Sequence, residues 1–317
     1  MRIGIDMMGG DYAPLETSLG AMMASREIGE QCKIVLIGDK EQIMAIFRQH
    51  NFDSSNMDFV DTKDIISMSD NPTKAISQKP NSSLAMGFSM LKAGEIDAFA
   101  SAGNTGAMLV GSMLIIKPAA GIMRPAISTV VPKLDGSLGV LLDVGVNADC
   151  KPEMLQQFGV LGSLLAEHVY HIRTPKVALM NIGEEEEKGN ILSQASFQLL
   201  KATREINFIG NVEGRDLFTD KADVIVCDGF TGNIVLKLAE SFYNIVKKRE
   251  FHDPYFDRFN YENYGGTPIL GIKSNVIIAH GISKAAAIKN MIVLSKEVIE
   301  VRLCEKISQA LHVTVTG

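Results

Sequence analysis

The chain has 317 residues, 46% hydrophobic and 21% charged, with a formal net charge of -6. That mix is typical of a soluble globular protein with apolar material for one large α/β domain or two smaller ones, and its acidic balance argues against a nucleic-acid coat. No uninterrupted apolar stretch reaches the roughly 18 residues of a membrane span, and Met1-Arg-Ile-Gly-Ile-Asp6 is too polar and too short for a signal peptide, so a cytoplasmic location is expected. Cys32, Cys150, Cys227 and Cys304 lie far apart without a CxxC pair. Their spacing predicts buried reduced thiols rather than disulfides or a zinc site.

Short β-branched runs alternate with helix-period segments. Ile3–Asp6 reads as the first buried strand, and the loop Gly9-Gly10-Asp11-Tyr-Ala-Pro14 follows it. Pro14 suits the first position of a helix. Lys33–Ile37 and Asp97–Ala100 are the next strands, the latter followed by Gly103-Asn104-Thr105-Gly106. Ile127–Val131 and Leu138–Leu142 flank Asp135-Gly136, a hairpin-turn dipeptide that predicts an antiparallel pair in mid-chain. Val177–Met180 leads into Gly183-Glu-Glu-Glu-Glu-Lys188-Gly-Asn190. The glutamates there read as a solvated acidic loop, whereas Lys188, beside Gly-Asn at a helix start, is placed to neutralise a phosphate. Phe208–Gly210 precedes Asn211-Val-Glu-Gly-Arg215-Asp216, where Arg215 either pairs with a nearby carboxylate or touches a ligand. Val224–Cys227 precedes Asp228-Gly-Phe-Thr231-Gly-Asn233.

Residues 247–266 are charged and aromatic and read as an excursion from the sheet. His280 closes a strand-like run, a setting in which a hydrogen-bonded core histidine is the more ordinary reading than a catalyst. Ser283–Leu311 is strongly helical. The rhythm predicts a mostly parallel sheet with helices on both faces, and with no linker or tandem repeat the chain reads as one α/β domain over 1–317.

Three strand-to-helix junctions share one design, with glycines that admit a ligand to the backbone and a following helix that offers N–H groups to an anion. In an open parallel sheet such loops gather at the carboxyl edge. The chain lacks a Gly-x-Ser-x-Gly elbow, HxxxD, HExxH, Walker A and GxGxxG. The usual signatures of acyl-enzyme, zinc, P-loop and dinucleotide chemistry are therefore missing, and a reaction whose nucleophile is itself a bound anion needs none of them.

In order, Asp6-Met-Met-Gly-Gly-Asp11, Ser101-Ala-Gly-Asn-Thr-Gly-Ala107, Arg124-Pro-Ala126, Leu142-Asp-Val-Gly145 with Asn147, and Gly183-Glu-Glu185 with Lys188-Gly-Asn190 form a series. It continues through Asn211–Asp216, Cys227-Asp228-Gly-Phe-Thr-Gly-Asn233 with Lys237, and Ala279-His280-Gly281. Over nearly its whole length the chain resembles the bacterial phosphate acyltransferases of phospholipid synthesis. The resemblance implies a three-layer α/β/α fold related to phosphotransacetylases and isocitrate-dehydrogenase-like enzymes. It implies acylated acyl carrier protein and inorganic phosphate as substrates, a homodimer, no metal and no cofactor. Loose association with the inner face of the membrane and an acyltransferase partner are further implications. The chain departs from that pattern at Lys273-Ser274, at Gln78, and at 247–264, which is polar and aromatic where relatives carry an apolar tip.

On this reading phosphate attacks the thioester carbonyl. Backbone N–H groups of the glycine loops and Lys188 hold the phosphate, and Asn233, Asn104 or Thr231 donates to the thioester oxygen. Asp6, Gly9, Gly10, Asp11, Ser101, Gly103, Thr105, Arg124, Asn147, Asn190, Asn211, Arg215, Asp228, Lys237 and His280 complete the expected substrate site. Lys247, Lys248, Arg249 and Arg258 are the candidate docking patch for an acidic carrier protein, against the alternative of a solvated helix end. The rival functions are a phosphotransacetylase using acyl-coenzyme A and a non-enzymatic scaffold of the lipid pathway.

Overall fold

Strands buried on both faces need helices on both sides, and this requirement shapes the chain. The structure, a computed structural model, describes residues 1–316, with side chains through Leu311. The chain divides into two compact units, Met1–Pro118 with Tyr261–Arg302, and Ala119–Asn260 with the chain from Leu303. In order it forms β1 (Arg2–Asp6), α1 (Leu15–Ser25), β2 (Lys33–Gly38), α2 (Lys40–Gln49), β3 (Asp58–Asp61), α3 (Pro72–Gln78), α4 (Ser83–Ala93), β4 (Ala98–Ser101) and α5 (Thr105–Gly111). The second unit contributes β5 (Ala126–Pro132), β6 (Leu138–Leu142), α6 (Pro152–His168), β7 (Lys176–Met180), α7 (Ile191–Ala202), β8 (Asn207–Val212), β9 (Val224–Val226), α8 (Gly229–Lys248) and α9 (Pro254–Asp257). The chain returns to the first unit as β10 (Thr267–Leu270), β11 (Asn275–Ile278) and α10 (Ala285–Glu300), and re-enters the second as α11 (Leu303–Thr316).

The first unit orders its strands β3-β2-β1-β4-β11-β10. All are parallel except β10, which runs antiparallel to β11. Ile5 lies beside Leu36 on one side and Ala100 on the other. Alternate strand residues face opposite ways, yet Ile3, Ile5, Leu36, Ile37, Phe99 and Ala100 are all fully buried. Both faces of this sheet are therefore covered, as the sequence predicted. Helix starts are secured locally, since Asp39, Asn71 and Ser82 accept N–H groups of the first turns of α2, α3 and α4. Such caps each stabilise by about 1 kcal/mol. Pro14 stands one position before α1 rather than inside it.

The second unit orders its strands β5-β6-β9-β7-β8, with β5 antiparallel to β6 and the rest parallel. The predicted hairpin is present. Asp135 Oδ1 accepts from the Ser137 N–H at 2.8 Å and its hydroxyl at 2.7 Å, closing the turn between β5 and β6. Leu155, Phe158, Leu161 and Leu165 form the buried stripe of α6.

The stretch expected to leave the sheet begins instead as the last turn of α8. Beyond it, residues 249–260 fold onto the hairpin. Tyr255 Oη donates to the Pro132 carbonyl at 3.2 Å, and the Arg258 guanidinium donates to the carbonyls of Lys133, Gly136 and Ser137. Edge-on ring contacts join Tyr255 and Phe218 to Phe259.

Candidate functional site

In the second unit β6, β9, β7 and β8 run parallel, so the loops after them leave from one edge. The polar residues of that edge divide into those spent on the fold and those that are not. Asp228 caps α8, its Oδ1 accepting from the Thr231 N–H at 2.8 Å and its Oδ2 from the Thr231 hydroxyl at 2.9 Å. The hydroxyl proton of Thr231 is thus committed. Asn190 caps α7 by accepting from the N–H and hydroxyl of Ser193. Asn147 donates both amide hydrogens, to the Pro125 carbonyl and to Asp143. Asn211 donates to the Glu185 carbonyl at 2.9 Å, while its buried Oδ1 has no partner among the described residues. Arg215 pairs with Glu213 at 3.1 Å and Lys237 with Glu240 at 2.8 Å, surface contacts of small energetic weight.

Three predicted residues of this edge stay uncommitted. Lys188 and Arg124 are exposed and have no ion-pair partner among the described residues. Asn233, exposed in the second turn of α8, gives one Nδ2 hydrogen to the Val144 carbonyl at 3.3 Å and keeps the other. The helix sits this close to the loop after β6 because residue 232 is glycine. A Cβ there would lie 1.9 Å from the Asp143 carbonyl oxygen.

The first unit carries the other predicted residues. Asp6, at the end of β1, accepts from the Ser101 hydroxyl at 2.7 Å and the Met8 N–H at 3.1 Å, and Ser101 Oγ accepts from the Gly103 N–H at 2.9 Å. One buried carboxyl thereby ties the Gly9–Asp11 loop to the Ser101–Gly103 loop. Burial pushes this carboxyl above the usual range, against hydrogen bonds from Ser83 and Ser101 that favour the charged form. A Cβ on Gly9 would meet Asp6 Oδ2 at 2.4 Å and Ser101 Oγ at 2.7 Å, so the crossing of the two loops needs glycine. The Asp11 N–H donates to the Gly281 carbonyl, which closes the neighbouring Gly10 turn. Asn104 caps α5, and its amide donates to the carbonyls of Ser67, Met68 and Asp70. Its donors hold the 67–70 loop, which leaves none for an oxyanion. Thr105 opens α5 with an exposed side chain. His280 packs against Tyr261 with ring centroids 4.9 Å apart and the planes tilted by 56°.

Burial pushes the Cys150 and Cys304 thiols up to about 12 and Cys227 well above its ordinary value. A thiol in that state is protonated at neutral pH and a poor nucleophile. Of the candidate docking cations, Lys247, Lys248 and Arg249 are exposed at the C-terminal end of α8. Arg258 is engaged by the hairpin carbonyls.

A sequence model of the family described as "Fatty acid synthesis protein" matches residues 1–253. The chain is 41% identical to the phosphate acyltransferase of Dictyoglomus thermophilum and 42% identical to that of Desulforamulus reducens, covering 98% of both partners in each comparison. The chain belongs to the phosphate acyltransferase family. Its fold is that of phosphotransacetylases. The Streptococcus pyogenes phosphotransacetylase superposes with a TM-score of 0.67 over 95% of this chain and 94% of that one, at 15% identity. The EutD phosphotransacetylase of Staphylococcus aureus superposes with a TM-score of 0.66 over 94% of both.

Sequence reasoning missed two features of this family member. One is Asp143, quoted within a motif but given no role. The other is the outer face of α8, where Phe230, Ile234, Leu238, Phe242 and Ile245 recur at helical spacing. Phe230 is 63% exposed, Leu238 57% and Phe242 59%. The periodicity was legible, but such a stripe ordinarily faces a core. Among the described residues no helix is long and apolar enough to cross a membrane.

Proposed function

We propose that the chain transfers a fatty acyl group from the thioester of acyl carrier protein to inorganic phosphate, giving an acyl phosphate for phospholipid synthesis. Family membership over 98% of the chain supports the reaction class. The observation that carries the residue assignment is the division of the second unit's edge. Thr231, Asn147 and Asn190 are spent on the fold, whereas Lys188 and Asn233 hold donors in reserve.

A phosphate oxygen attacks the thioester carbonyl carbon, and the tetrahedral oxyanion collapses by breaking the C–S bond. The departing thiolate takes the proton that phosphate gives up to solvent or a carboxylate. Lys188 neutralises the phosphate, and the spare Asn233 N–H donates to the oxyanion. Neither step asks for a protein nucleophile, in keeping with the protonated thiols.

Long-chain acyl carrier protein mixed with the chain and phosphate is expected to give acyl phosphate, with free carrier thiol released only when orthophosphate is present. Rapid thiol release without phosphate, or an acyl-enzyme trapped by mass spectrometry, would falsify the reading. The fold shared with phosphotransacetylases favours acyl-coenzyme A as the second reading of the donor, and the same assay run with both carriers separates them.

The exposed stripe on α8 supports the homodimer. Twenty residues of helix extend roughly 30 Å, and an apolar row along that length is unusual for a solvent-facing surface. The basic end at Lys247, Lys248 and Arg249 is the proposed contact for the acidic carrier, and a peripheral contact with the inner face of the membrane, or with an acyltransferase that uses the product, belongs to the same proposal. Leu238→Glu with Phe242→Glu is expected to convert a dimer into a monomer by light scattering. A parent that is already monomeric at micromolar concentration sinks this part.

A further inference from the structure

We propose that Asp143 is the positioning residue that sets Asn233 for acyl transfer, which rests on the reading above that Asn233 donates to the oxyanion. Asp143 follows β6 directly and is fully buried. Its carboxylate accepts four N–H groups. Oδ1 takes those of Ile127 at 3.2 Å and Val146 at 3.3 Å, and Oδ2 takes the Asn147 backbone N–H at 2.7 Å and its side-chain amide at 2.9 Å. Three of the four come from the turn 144–147, so one carboxylate fixes the shape of that turn.

The turn in turn grips the first stretch of α8 at two points. The Asn147 carbonyl accepts from the Gly229 N–H at 2.7 Å, and the Val144 carbonyl accepts from Asn233 Nδ2 at 3.3 Å. Residues 229 and 233 stand about one helical turn apart, on one face. The backbone of Asp143 completes the lock, its N–H donating to the Cys227 carbonyl at 3.0 Å while the Val144 N–H donates to the Ile127 carbonyl. The direction of the spare Asn233 N–H therefore depends on where the Val144 carbonyl sits, and that depends on the carboxylate.

A simpler brace would not need a charge here. Among the described residues Asp143 has no ion-pair partner, and burial pushes its carboxyl above the usual range against the pull of the Asn147 and Ile127 bonds. Burying an unpaired carboxylate is costly unless its hydrogen bonds are complete. The isosteric amide would turn an NH2 group towards N–H donors that need an acceptor.

The test uses the full chain and Asp143→Asn. Its kcat for acyl phosphate formation is expected to fall about tenfold to a hundredfold, with KM for phosphate and for acyl carrier protein within about twofold. Added to Asn233→Ala, it should slow the reaction by less than about threefold, because both changes remove one interaction. A merely structural loss would lower the active fraction equally in both backgrounds, and the effects would multiply. Hydrogen exchange at 144–147 and 229–235 should rise in Asp143→Asn while that of α6 holds. Should Asp143→Asn not fold, Asn147→Ala carries the same cycle. Multiplicative losses in the cycle, parental kcat in a folded variant, or unchanged exchange at 229–235 overturns the proposal. A parent that makes no acyl phosphate from either carrier overturns the proposed function instead, and the exchange measurement still decides the role of Asp143.

Discussion

Asn233→Ala is expected to slow acyl phosphate formation on the order of 10²-fold or more, the usual cost of losing one oxyanion donor. The side chain is exposed and makes a single hydrogen bond among the described residues, at 3.3 Å to the Val144 carbonyl. Losing one long, partly exposed bond of this kind costs on the order of 1 kcal/mol, so the melting temperature should stay near the parent's. Lys188→Ala should behave differently, because an exposed ammonium without an ion-pair partner among the described residues can act on phosphate binding without disturbing a network. Its KM for phosphate should rise with a smaller change in kcat. Asn104→Ala provides the contrast. Its amide holds three carbonyls of the 67–70 loop, and any loss of rate there should come with a loss of stability. Full activity in Asn233→Ala, or a loss that tracks unfolding, removes the oxyanion assignment.

The parallel core was legible because its strands are short, β-branched and buried on both faces, as the consecutive residues Ile34 and Val35, and Val224, Ile225 and Val226, are. The hairpin was legible because Asp135-Gly136 is a local signal that needs only Ser137 to complete it. The two-unit arrangement was not. Its boundaries at 118/119, 260/261 and 302/303 carry no Pro, Gly or Ser run, and the strands β10 and β11 return to a unit begun more than 200 residues earlier. Among site residues, type and loop position found Lys188 and Asn233 but could not tell them from Asn104. What separates them is the 67–70 loop, 34 to 37 residues away in sequence, which takes up the Asn104 amide. Asp143 escaped for a related reason. A motif shows that an aspartate is present, whereas its role comes from four N–H groups that only the fold brings together.

The largest effect on stability is expected at the opposite edge of the second unit. Lys133, just after β5, and Asp223, just before β9, form an ion pair of 2.5 Å with side chains 3% and 12% exposed. Asp223 Oδ2 also accepts the Lys176 N–H at 2.8 Å, which ties the start of β7 to the pair. Removing one partner strands a charge in a site that water cannot reach, so Asp223→Ala should lower unfolding free energy by about 3–5 kcal/mol. The pair itself need not be stabilising, because taking two charges out of water costs about as much as their attraction returns. Lys133→Met combined with Asp223→Asn should therefore recover most of the loss, since the amide oxygen still accepts from Lys176 and no charge remains. Because these residues sit at the amino edge of the strands, away from the loops that carry Lys188 and Asn233, turnover per folded molecule should match the parent in both variants. Chemical denaturation at 25 °C checks the first expectation and active-site-normalised kinetics the second. A double variant as unstable as Asp223→Ala would mean that the pair contributes net stability, and a normalised rate that falls with it would mean that the two edges are coupled.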